Sequence, residues 1–160
     1  MIVMPPLHPV IVHVPVVMIV FSFLFELAGR ALDSEWWRKA ALAMLVIGVL
    51  GAAAAVLTGK PAGEAAEKQG VAERAVDDHE DAGRIALWMS LAALAARAVA
   101  SRAGRARAAV SVLYLAVHLC AAMAVTMASY RGGLLVYHHG AGVKVHGEKV
   151  PSDGPPKAEK

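Results

Sequence analysis

The chain has a single cysteine, Cys120, among 160 residues, and only 6% of its side chains are aromatic. One cysteine excludes an internal disulfide, and within an apolar run it reads as a small filler. Acids, lysines and arginines are missing altogether from Leu42–Leu57, Ile85–Ala96 and Ala108–Tyr130. A soluble four-helix bundle needs charge on the outer face of each helix, so these runs exclude one. Also missing are a phosphate-cradling glycine loop, HExxH, CxxC and GxSxG. With no evident nucleophile or general base, enzymatic turnover is not expected. No lysine or arginine precedes Val10, which argues against a cleavable signal peptide and for a first segment that stays in the membrane.

What is present is apolar: 58% hydrophobic residues and a mean hydropathy of +0.52. Four stretches, Val10–Ala28, Ala40–Thr58, Ala82–Ala100 and Ala108–Ser129, each approach the ~20 residues of a spanning helix. The fold expected is all-α, an integral membrane four-helix bundle over residues 1–143, with a polar, disordered tail over 144–160. Pro15 should loosen the first helix near His13 by removing a hydrogen bond to Ile11. The second helix carries Gly48, Gly51, Ala52 and Ala55, a face that permits close helix contact. It is expected to stop at Thr58-Gly59-Lys60-Pro61, with a short surface helix over 61–69. The fourth helix runs to Tyr130, with a possible continuation through Gly132-Gly133 to Gly140.

Arginine and lysine set the expected orientation. One short connection carries Arg30, Arg38 and Lys39, and the other carries Arg97, Arg102, Arg105 and Arg107. By the positive-inside rule both are cytoplasmic, which puts the termini and the acidic 59–81 connection outside (N-out/C-out) in a bacterial inner membrane. The net charge of +3 comes largely from these loops and the tail, with no basic face interleaved with aromatics. Nucleic acid is therefore not an expected partner, and the lipid bilayer is.

Six of seven histidines, His8, His13, His79, His138, His139 and His146, fall at or beyond the non-basic end, while His118 lies deep in the fourth span. Ionisable groups at membrane depth are costly and point to function. His13 is seventeen residues from Arg30 and His79 eighteen from Arg97, so both stand ~26 Å above the basic layer at 1.5 Å per residue. Two imidazoles at matching height can ligate one iron or another metal ion. His8 lies further out, and His139 can fold back over the same mouth. His118, eleven residues from Arg107, lies near mid-membrane. A lone interfacial histidine also serves as a helix cap, so the case rests on convergence.

Leu7-His8-Pro9 with Val12-His13-Val14-Pro15, Thr58-Gly59 with Ala62-Gly63, His79, Arg97, and the closing run Gly132 to Val143 form a pattern. This pattern resembles a bacterial membrane family, domain of unknown function 2231. Leu134 stands where the family pattern often has an acid. The resemblance implies a four-helix membrane domain, sometimes found beside redox modules such as Rieske-type iron–sulfur domains. The architecture is also loosely similar to small b-type cytochromes. Three functions follow as expectations. The first is a haem b redox subunit ligated by His13 and His79, with His8 or His139 as alternatives. The second is copper or zinc bound by the same four histidines without haem. The third is an accessory subunit of a membrane complex, in which the histidines meet a redox partner or other subunits.

Overall fold

The computed structural model describes residues 7–102, 104, 107–145 and 148–149. A short α1 (His8–Ile11) leads through Val12 into α2 (His13–Ala31), and α3 (Glu35–Glu67), α4 (Glu73–Arg102) and α5 (Arg107–Tyr137) follow. Lys144–Val145 and Glu148–Lys149 pair as a two-residue antiparallel ladder, and the remaining tail, including His146, lies outside the described residues. Four helices are long and apolar enough to cross a membrane. They form two hairpins, α2/α3 and α4/α5, closed into a ring by α3 against α4 and α2 against α5.

The break at Val12 falls where Pro15 removes the amide that would have bonded Ile11. The expected stop at Pro61 does not occur, since α3 runs unbroken to Glu67. Proline costs this helix one hydrogen bond. The turns beyond it gain a second small core of Ala66, Val71 and Val76 against Leu135 and Ala141. Helix α3 ends at Glu67, and the chain turns away at Gly70, whose φ of 98° suits a residue without a side chain. Helix α5 takes the longer of its two expected courses, through Gly132-Gly133, and the chain turns at Gly140 with φ 66°.

Inside and outside divide by size more than by polarity. Leu50, Leu57, Trp88, Val112, Leu113 and Met123 are exposed, as lipid-facing groups should be. The buried positions of α2 are Pro15, Ile19, Ser22, Glu26 and Gly29, spaced alternately by four and three residues. Tyr114, His118, Ala121, Val125 and Ala128 do the same on α5, and Ala86, Ser90, Ala93 and Ala100 keep to a similar stripe on α4. This seven-residue repeat keeps one stripe of each helix on the bundle axis. Its small side chains let the backbones approach closely, and Ser22 Oγ can donate across the α2/α3 contact to the Ala41 carbonyl at 2.7 Å.

Gly48 sets the α2/α3 distance, because a Cβ there would stand 2.6 Å from Ile19 Cγ1. Gly48→Ala should lower stability in detergent by about 1–3 kcal/mol. In an Ile19→Ala background, which removes the opposing atom, Gly48→Ala should cost clearly less, a coupling that thermal unfolding of the four variants measures.

Candidate functional site

His8 and His79 meet at the non-basic end of the bundle. Their ring centroids are 6.0 Å apart, with planes inclined at 75°. Seven residues before Pro15, His8 continues the inward stripe of the first span, and His79 stands seven before Ala86 on the stripe of α4. His13 is five residues from His8, which turns it about 140° away around a helix, and it is exposed. The ring opposite His79 is therefore that of His8. A ruler along the helix gives height but not facing, which is why His13 matched His79 in level only. His139 is half-buried and His138 exposed, while His118 is fully buried further along α5. Among the described residues no three histidine, cysteine or carboxylate groups converge on one point.

Each ring of the pair is held at Nδ1. His79 Nδ1 lies 3.1 Å from the Ala128 carbonyl, which can only accept, so this nitrogen carries the proton. His8 Nδ1 lies 3.2 Å from Thr58 Oγ1. The single Thr58 hydroxyl proton goes to the Ala54 carbonyl at 2.8 Å, leaving Oγ1 to accept from His8. In the neutral tautomer with the proton on Nδ1, each imidazole would keep a lone pair on Nε2, the state in which a histidine binds a metal. At metal–nitrogen distances near 2.0–2.1 Å, two imidazoles sharing an ion have centroids roughly 5–6.5 Å apart, and the observed separation falls within that range.

Glycines make the room. A Cβ at Gly132 would stand 2.9 Å from His79 Cε1, and one at Gly59 would stand 3.3 Å from His8 Cε1. Gly63 lets α3 approach Val76 and Glu80 of α4, and Arg131 Nη1 donates to the Asp78 carbonyl at 2.8 Å, tying α5 to the same turn. The residues of the opening, middle and closing motifs thus surround one pair of rings.

The opposite end holds a second polar group, which sequence reasoning missed. Glu26 is fully buried, yet its carboxylate accepts from Arg30 Nε at 2.9 Å and lies 3.8 Å from Arg97 Nε. Both guanidiniums lie over the Tyr114 ring, at 5.8 Å and 5.6 Å from its centre. The Tyr114 hydroxyl meets His118 Nδ1 at 3.1 Å, and Phe23 packs edge-on against the His118 ring. The signal was available, since Glu26 is the only charged residue between Val10 and Ala28 and stands four before Arg30. Its buried position makes the cluster a lock between α2, α4 and α5.

Two substitutions test these geometries. Gly132→Ala should cost about 1–2 kcal/mol with His79 present and clearly less in a His79→Ala background, a coupling that a double-mutant cycle measures. Glu26→Leu should cost on the order of 3 kcal/mol in unfolding experiments, because it leaves two guanidiniums without their carboxylate.

Comparison with known proteins gives one assignment. No curated protein and no solved structure matches the chain. A family model described as Predicted membrane protein (DUF2231) matches residues 4–145, a span that takes in the motifs around His8, Gly59, His79 and Gly132. With four helices suited to crossing a membrane, the chain belongs to this family of predicted membrane proteins.

Proposed function

We propose that this membrane protein binds a transition-metal ion between Nε2 of His8 and Nε2 of His79. The observation that carries the reading is the fixing of both rings at Nδ1, by Thr58 and by the Ala128 carbonyl, at a separation one ion can bridge. Two imidazoles fill two coordination positions and leave the rest to water or an incoming group. Nitrogen ligands of this kind favour copper and zinc among the common ions. Thr58 acts through His8, orienting its ring and raising its basicity by way of the hydroxyl bonded to Ala54. With the basic connections cytoplasmic, the pair faces the outer side of a bacterial inner membrane.

If haem were bound here, His8 and His79 are the residues that would hold it, and the group would supply one-electron chemistry. An optical spectrum separates the two forms of the site.

The purified protein, loaded with copper or zinc and dialysed, should retain metal by elemental analysis. His8→Ala and His79→Ala should each abolish retention, Thr58→Val should weaken it by about 10–100-fold, and His13→Ala should leave it unchanged. A Soret band after haem-replete expression, lost in the same two histidine variants, would assign the site to haem iron instead. Metal retention unchanged in the folded His8→Ala/His79→Ala double variant would overturn the reading.

A further inference from the structure

Beyond the histidine pair, the arginine end carries two adjoining cavities of opposite character. One, of about 400 Å³, is lined by Arg30, Arg38, Lys39, Arg97, Ser101 and Ser111, with Glu35 as its one acid. The other, of about 260 Å³, is lined by Leu42 of α3 and by Leu94, Arg97, Ala98, Ser101 and Arg102 of α4, with a mostly apolar wall. They share Arg97 and Ser101. A cationic chamber thus opens beside an apolar one at the end of a membrane bundle, and Trp36, which favours the interfacial level, is exposed on the same end.

We propose that these two cavities together hold one anionic phospholipid. The phosphate occupies the chamber of Arg30, Arg38, Lys39 and Arg97, and the start of an acyl chain lies against Leu42 and Leu94. Charge complementarity selects the headgroup. Arg30 and Arg97 share Glu26, Arg38 pairs with Asp33 and Lys39 with Glu35, so four cations meet three acids and keep one net positive charge for a phosphate, whose oxygens guanidinium groups match in paired hydrogen bonds. Glu26 offsets only part of this charge from behind, and Arg97 Nε has no hydrogen-bond partner among the described residues. Basic recesses between helices at this level are suited to lipid headgroups. The apolar cavity selects a lipid over a free anion, because inorganic phosphate would leave it empty.

The full-length protein, stripped of lipid in detergent, would be unfolded thermally with added phosphatidylglycerol, phosphatidylcholine or inorganic phosphate, and retained lipid counted by native mass spectrometry. Phosphatidylglycerol should stabilise the protein and be retained as one tightly bound molecule. Lys39→Gln, at an exposed side chain, should weaken that binding roughly fivefold. Leu94→Trp, which fills the apolar cavity, should abolish it while the protein keeps its helical content. Equal stabilisation by phosphatidylcholine would overturn the proposal, and so would equal stabilisation by phosphate alone. Undiminished retention in both variants would overturn it too.

Discussion

Close approach of four helices in a solvent as apolar as their own side chains is the constraint on which the rest depends. Lipid removes the hydrophobic drive that packs a soluble bundle, so association relies on contact, hydrogen bonds and small side chains. The chain meets this with a seven-residue stripe rich in glycine, alanine and serine on the axis, with Ile19, Leu45, Val49 and Val125 among them, and puts many of its other large apolar side chains outside. Gly48 against Ile19, Gly63 against Val76 and Gly132 against His79 are points where a methyl group would hold the helices apart.

That same stripe decides where polar chemistry can stand. Lipid-facing positions forbid charge, so the groups that matter occupy the axis: His8 and His79 at one end, Glu26, Arg97, Tyr114 and His118 toward the other. The two ends differ in how they are satisfied. Each histidine of the pair is anchored on one nitrogen and open on the other, an arrangement suited to receiving a ligand. At the arginine end Glu26 accepts from Arg30 with one oxygen, while its other oxygen stands 3.8 Å from Arg97 Nε, attracted but not hydrogen-bonded. A charge removed from that cluster exposes its partner to a medium that cannot solvate it.

Much of the architecture was legible because lipid imposes it. Runs such as Leu42–Leu57 have no other explanation, and the break before His13 follows from the chemistry of Pro15. Facing was harder to read. Depth along a helix put His13 level with His79, but the register of Pro15, Ile19, Ser22 and Glu26 places His8 on the axis instead. Alanine-rich stripes hide this register, because alanine is as common on the lipid face as inside. Pro61 misled for another reason, in that a local penalty of one hydrogen bond was weighed without the packing of Ala66 beyond it.

The closing motif shows how local and distant terms combine. Two consecutive glycines in a helix would ordinarily weaken it by about 1 kcal/mol each relative to alanine. Here the first of them admits the His79 ring, and the carbonyl of Ala128, one turn earlier, fixes that ring's proton. The helix therefore bears a local weakness at the one level where its backbone must approach an imidazole from α4. Across the bundle Gly59 stands beside His8 in the same way, next to the threonine that orients it. Both glycines thus trade helix propensity for room beside an imidazole ring.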